Sequence, residues 1–265
     1  MFSPARPPAF DDFDCIIVGS DEVWNFIHPW YGDEPLFFGG GLKPKRLISY
    51  APSFGNYNAT QGLPSEWAAR LRRFDRVSVR DYNSAQIVRD ALGVEPAMVL
   101  DPCLQFFPKT FAQAPRPAGS EYLLVYATRL APGFVHEVQQ WARARRLRIV
   151  SMGCRQSWAD ISLPAAGPEE FLRGFQGARA VVTSFFHGCV FSLRFQRPFV
   201  AQVPDHRANK VNGLLRTVGA PERLIGNESS LRPGFLDEPL SGAVLAEIER
   251  HRKTSSDYLE EALVA

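Results

Sequence analysis

Three short segments place polar side chains directly after apolar runs, where a chain turns out of a strand. The first is Gly19-Ser20-Asp21-Glu22-Val23-Trp24-Asn25, which follows Cys15-Ile16-Ile17-Val18. It brings a hydroxyl, two carboxylates and an indole together. Such a set can line a cleft wall, with Ser20 and Asp21 on sugar hydroxyls and Trp24 as a flat apolar platform. Ser20 or Asp21 capping a helix is the plainer reading of the same residues. The second segment is Ser78-Val79-Arg80-Asp81, where Arg80 either pairs on the surface with its neighbour or clamps an anion in a cleft. The third is Thr183-Ser184-Phe185-Phe186-His187-Gly188, two hydroxyls and an imidazole between an apolar run and an apolar helix. Backbone N–H groups at a helix start favour an anion. An imidazole titrates near neutrality and suits proton transfer; a histidine satisfied in the core is the alternative.

The elements that must hold these segments follow from periodicity. Apolar runs at 15–18, 47–50, 77–79, 97–100, 122–126, 148–151, 180–182 and 198–201 read as buried strands. Helical spacing alternates with them, over about 65–73, 82–92 ending at Gly93, around Phe134, Val138, Trp141 and Ala142, from Pro168, over 187–195, around Val211, Leu214, Leu215 and Val218, and over 243–262. Alternating strands and helices with near-continuous apolar strands predict parallel sheets covered on both faces. The three prolines within 108–120 mark a linker, after which the alternation restarts. The expected fold is therefore α/β, with two Rossmann-like domains over 1–110 and 111–265 and ligands at the carboxyl ends of the strands. Gly39-Gly40-Gly41 precedes no helix and reads as a turn.

Composition excludes several classes. A net charge of +2 gives no ground for nucleic acid as a partner, and the 45% hydrophobic, 22% charged make-up is that of a folded soluble chain. No apolar run reaches the length of a membrane span and residues 1–10 do not resemble a signal peptide, so the expected location is cytoplasmic. Of the basic residues 25 are Arg and five are Lys; the Arg143, Arg145, Arg146 and Arg148 cluster reads as surface. Cys15, Cys103, Cys154 and Cys189 lie far apart with no metal-ligand spacing, which predicts reduced thiols and no zinc site.

The strings at 18–25, Ser-Tyr-Ala-Pro-Ser-Phe-Gly at 49–55, Ser-Val-Arg-Asp at 78–81, Leu-Asp-Pro at 100–102, Val-Val-Thr-Ser-Phe-Phe-His-Gly at 181–188 and Arg-Pro-Phe-Val at 197–200 resemble, in order and spacing, the polysaccharide pyruvyl transferase family. The resemblance runs from about residue 12 to 225. It implies a glycosyltransferase-B-like pair of Rossmann domains, the N-terminal one short and on the acceptor side, the C-terminal one on the donor side. It also implies transfer of the enolpyruvyl unit of phosphoenolpyruvate onto a sugar of a polysaccharide or glycan as a pyruvate ketal, with phosphate released. Residues that match the family's motifs are His187, Arg80, Asp21 and Trp24, with Lys210 in the basic stretch after Pro-Phe-Val. Phe185 stands where the family commonly has Ser or Arg, and Cys103 where it usually has Thr.

That chemistry sets the expected roles. His187 supplies the methylene proton and Asp21 takes the hydroxyl proton. Arg80 and Lys210 hold the anionic donor beside Thr183 and Ser184, with Arg197 and Arg207 in reserve, while Trp24 and Ser20 meet the acceptor. Neither a metal nor another cofactor is demanded, because cationic side chains carry the phosphate charge. A nucleotide-sugar-dependent transferase of the same architecture would differ by binding nucleotide tightly without phosphoenolpyruvate. A non-catalytic carbohydrate-binding relative would release no phosphate.

Overall fold

Short apolar runs that end in polar turns become parallel strands throughout the computed structural model, which describes residues 10, 13–106, 121–203, 205–226 and 230–264. The expected linker at 108–120 lies outside the described residues. The chain divides into two compact units, Met1–Gln105 with Ile248–Ala265, and Phe106–Glu247.

In the first unit β1 (Cys15–Val18) pairs in parallel with β2 (Arg46–Ser49), and β3 (Ser78–Val79) with β4 (Ala97–Met98). A parallel bridge between Ile48 and Arg76 joins the two ribbons, with the Ser49 N–H donating to Arg76 O at 3.1 Å. Helices α1 (Ser65–Leu71) and α2 (Tyr82–Leu92) fill the crossovers from β2 to β3 and from β3 to β4, and the short α3 (Pro102–Gln105) follows β4. Helix α2 is fixed at both ends by its sequence. Asp81 caps it, accepting from Ser84 N–H at 2.8 Å, and Gly93 closes it in the left-handed conformation at φ 71°. The core of this unit gathers Trp24, Phe38, Phe54 and Phe74 with Leu71, Ile87 and Val88.

The second unit carries a six-stranded parallel sheet of β5 (Tyr122–Tyr126), β6 (Arg148–Met152), β7 (Ile161–Leu163), β8 (Ala180–Thr183), β9 (Phe199–Gln202) and β10 (Leu224–Ile225). Its order is β10-β9-β8-β5-β6-β7. The chain winds outward from β5 to β7, then returns to start β8 on the other side of β5, so the direction of winding reverses between β5 and β8. Loops diverge at such a reversal and leave room for a ligand at the carboxyl ends of the two strands. Helices α4 (Pro132–Ala144), α5 (Pro168–Gly177), α6 (Phe186–Arg194) and α7 (Asp205–Thr217) connect the strands. Phe134, Val138 and Ala142 of α4 pack on Leu123 and Val125 of β5 in one apolar cluster. Strands β7 and β10 were not expected, since two or three residues carry no readable period.

The expected domain over 111–265 needs a correction at its end. Helix α8 (Gly242–Val264) begins in the second unit, but its residues from Ile248 onward belong to the first. Specific bonds draw it there: Leu100 N–H donates to Ser255 Oγ at 2.9 Å, Tyr258 OH to Ser49 O at 2.7 Å, and Arg252 Nη2 to Leu104 O at 3.1 Å. Tyr258 and Ala262 also share an apolar cluster with Ile48, Tyr50 and Val99. Among the described residues no helix is long and apolar enough to cross a membrane.

Candidate functional site

The carboxyl edge of the first unit's strands is organised around one guanidinium. Arg80 follows β3, Asp101 follows β4 and Asp21 follows β1. Arg80 Nη1 donates to Asp101 Oδ2 and Nη2 to Asp21 Oδ1, each at 2.6 Å. The Arg80 and Asp101 side chains are only 2% and 1% exposed, whereas that of Asp21 is 58% exposed. Burial opposes the Arg80 charge, but the Asp101 and Asp21 carboxylates overcome it and hold the group above its ordinary value. Asp21 thus turns a carboxylate toward solvent while a buried cation grips one of its oxygens.

Local backbone chemistry sets this turn. Gly19, at φ 142°, passes so close to β2 that a Cβ there would lie 2.0 Å from Tyr50 O. Asp21 itself is left-handed at φ 65°, a conformation that Asp tolerates better than most residues, and its carbonyl accepts from Ser53 N–H at 2.7 Å. Cys103 N–H donates to the second Asp101 oxygen at 2.9 Å. Burial, and then the Asp101 charge, push the Cys103 thiol up to about 11, so it stays protonated at neutral pH.

In the second unit, the ends of β5 and β8 are stitched across the winding reversal. Thr183 Oγ1 donates to Tyr126 O at 2.7 Å and accepts from Phe185 N–H at 3.1 Å. Ser184 Oγ accepts from Thr128 N–H at 3.0 Å, and Gln156 Nε2 donates to Ala127 O at 2.6 Å. Helix α6 then starts with Phe185 as its N-cap, a residue with no capping side chain, and His187 lies half-buried in its first turn. The first N–H groups of any helix lie beyond its internal ladder and carry its positive end. Gly188 is required for this junction, because a Cβ there would meet Thr183 Oγ1 at 1.9 Å. Phe185 stacks on Tyr126 at 4.4 Å between ring centroids, so the position that the sequence resemblance led one to expect as polar is filled by an aromatic pair. Lys210 is half-buried on α7, the helix that follows the neighbouring strand β9.

Several expected roles change. Trp24 is no sugar platform: it is 0% exposed, donates its indole N–H to Phe37 O at 2.9 Å and packs against Phe38, Phe54 and Phe74. Arg80 is no anion clamp, because both terminal nitrogens are spent on carboxylates and the side chain is buried. Thr183 and Ser184 are fully buried and use their hydroxyls on backbone groups, so they shape the loop rather than meet a donor. Ser20 is half-buried beside Asp21, His187 stands at the strand–helix junction where the sequence placed it, and the side chain of Arg207 is not among those described. Asp101, read in the sequence only within the Leu-Asp-Pro string, emerges as the buried anchor of Arg80. Its signal was a lone acid at a strand end, twenty-one residues from its partner.

The sequence profile of the polysaccharide pyruvyl transferase family matches residues 3–206. The chain belongs to the polysaccharide pyruvyl transferase family. No curated protein matches this family member significantly. Among solved structures it is similar to the E. coli heptosyltransferase WaaC with ADP, at 13% identity and a TM-score of 0.40, over 77% of this chain and 65% of that one. It is also similar to the glycosyltransferase SnogD from Streptomyces nogalater, at 12% identity and a TM-score of 0.44, over 94% of this chain and 71% of that one. The chain thus spans just under two thirds of the heptosyltransferase's length.

Proposed function

We propose that this family member moves the enolpyruvyl unit of phosphoenolpyruvate onto two hydroxyls of a sugar as a pyruvate ketal. The observation that carries the reading is the Arg80–Asp21 pair, a solvent-reaching carboxylate fixed by a buried cation at the carboxyl edge of its strands. Such a group suits removal of a proton from a sugar hydroxyl, since its orientation is set before the acceptor arrives.

In the proposed reaction His187 protonates the methylene carbon of the donor, which becomes a methyl group, and the adjacent carbon becomes cationic. One sugar hydroxyl adds to that carbon and gives its proton to Asp21. A second hydroxyl then displaces phosphate, closing the ketal, and its proton leaves with the phosphate or returns to His187. Lys210 and the N-terminus of α6 supply positive charge for the donor phosphate. We also read both units as Rossmann-like domains of the glycosyltransferase-B type. The strand order of the second supports this, being the doubly wound order with one reversal. We place the reaction in the cytoplasm, with a small-molecule donor and a glycan acceptor.

The test is phosphate release from phosphoenolpyruvate by the purified chain across a panel of glycan acceptors, with the product examined by NMR for a ketal methyl group. Phosphate release that depends on acceptor supports the reading. Release from no acceptor, together with tight binding of a nucleotide sugar, overturns it. Donor binding followed by calorimetry is expected to weaken with salt and in Lys210→Ala; unchanged affinity in that variant removes Lys210 from the donor site.

A further inference from the structure

The stretch after Asp21 folds as a run of consecutive turns. Asn25 N–H donates to Glu22 O at 2.9 Å, His28 N–H to Asn25 O at 2.9 Å, Gly32 N–H to His28 O at 2.8 Å and Glu34 N–H to Tyr31 O at 3.1 Å. Gly32 lies so tightly under the His28 turn that a Cβ there would stand 2.5 Å from both His28 N and Phe26 O. The Tyr31 ring stacks on His28 at 3.8 Å and meets Phe37 edge-on at 5.9 Å, while Trp30 N–H donates to His28 Nδ1 at 3.3 Å.

Between these two held rings, Trp30 projects into solvent and is 87% exposed. The other tryptophans of the unit, Trp24 and Trp67, are buried. An exposed indole on an ordered turn offers a broad apolar face with a polar N–H at its edge, which matches the C–H face and hydroxyls of a pyranose ring. The turns run directly on from the carboxylate assigned to the acceptor hydroxyl. After burial, the Asp21 and Glu22 charges are what push the Tyr31 phenol above its ordinary value, so this ring lies within electrostatic reach of Asp21.

We propose that Trp30, backed by His28 and Tyr31, is the stacking platform for a pyranose ring of the acceptor glycan. The proposal rests on the pyruvyl-transfer reading for the identity of the ligand as an acceptor, but glycan binding by itself does not need the donor. The platform takes the role that Trp24 cannot fill, nine residues on from Asp21 in the same unit.

The experiment compares wild type, Trp30→Ala and Trp30→Phe of the full chain in three measurements. These are calorimetric binding of lactose, maltotriose and chitotriose without donor, steady-state transfer with phosphoenolpyruvate, and sedimentation. Expected are roughly tenfold weaker glycan binding and a roughly tenfold higher acceptor KM in Trp30→Ala, with recovery in Trp30→Phe and no change in the KM for phosphoenolpyruvate. The thermal midpoint stays where it is, because an exposed side chain is removed. Glycan binding that depends on Trp30 in a protein that transfers no pyruvyl group keeps the platform and defeats the pyruvyl-transfer reading. Transfer with an acceptor KM unchanged in Trp30→Ala keeps that reading and overturns the platform. So does a wild type that binds none of the three sugars, or a Trp30→Ala variant whose only change is its oligomeric state.

Discussion

A guanidinium with one partner sealed beside it and another reaching solvent is unequal on its two sides, and this inequality decides what Arg80 does. Asp101 neutralises it inside and Asp21 draws on it outside. Arg80→Ala strips a buried carboxylate of its counter-charge and is expected to cost about 3–5 kcal/mol in chemical denaturation. Arg80→Met combined with Asp101→Leu replaces the buried pair by apolar volume and is expected to regain most of that stability. Turnover stays low in both variants, because Asp21 loses its anchor in each. A double variant that regains turnover along with stability shows that Arg80 does no more than hold the fold. His187→Asn keeps a side-chain donor and removes the titrating nitrogen, so turnover falls roughly a hundredfold at an unchanged melting temperature. Near-normal turnover in a less stable His187→Asn protein makes the ring a core residue instead. The tryptophans show where reading residue types stops. Trp24 and Trp30 are the same side chain six positions apart, and Trp24 is buried by partners 13 to 50 residues away, Phe37, Phe38, Phe54 and Phe74. Such partners leave no periodic trace around position 24.

Among elements, the junction of β8 with α6 depends on the absence of one methyl group. Gly188→Ala drives a Cβ into Thr183 Oγ1, and helix α6 must lift from the strand end or Thr183 must give up its bond to Tyr126 O. A melting temperature lower by several degrees and a loss of turnover exceeding that of surface controls are expected. Unaltered values show that the junction yields freely. A second element-level contact ties α4 to the segment before α8. Arg145 grips Asp237 with Nε and Nη2, each at 2.7 Å, and Trp141 Nε1 donates to Asp237 Oδ2 at 3.0 Å. Burial raises the Asp237 carboxyl, yet the Trp141 and Arg145 bonds outweigh it and leave it below its ordinary value. Its stabilising effect is therefore complete above the unfolded carboxylate pKa of about 4 and disappears as pH falls through the lower folded value. Asp237→Asn is expected to lower the melting temperature slightly at neutral pH and to narrow the gap to wild type in acid; a constant gap across pH removes the ion pair from the account. The long elements were legible because α2, α4 and α5 announce themselves by period, caps and proline. The parallel sheet was legible too, from apolar runs without alternation. Strands β7 and β10, with three and two residues, are made by their neighbours' hydrogen bonds and not by any local pattern.

For the molecule as a whole, the helix over 243–262 was legible in the sequence, but its destination was not, because no local signal says which of two units a helix will cover. Tyr258 settles it by donating to Ser49 O under an apolar layer with Ile48 and Val99. Tyr258→Phe is expected to cost about 1 kcal/mol, and hydrogen exchange should quicken at β2 and β4 while β5 and β8 keep their protection. Equal quickening in all four strands means that the units unfold as one. This arrangement also orders events during synthesis. Residues 106–247 hold all the sheet and all the crossover helices of their unit, so that unit is complete as a chain segment well before the ribosome finishes residue 264. The first unit, although made earlier, lacks the helix that covers Ile48, Tyr50 and Val99 until residues 248–264 have emerged. Of the two units, the one translated first is the one that matures second, and it waits through the making of about 140 residues with an apolar face uncovered, the interval in which a chaperone would find it.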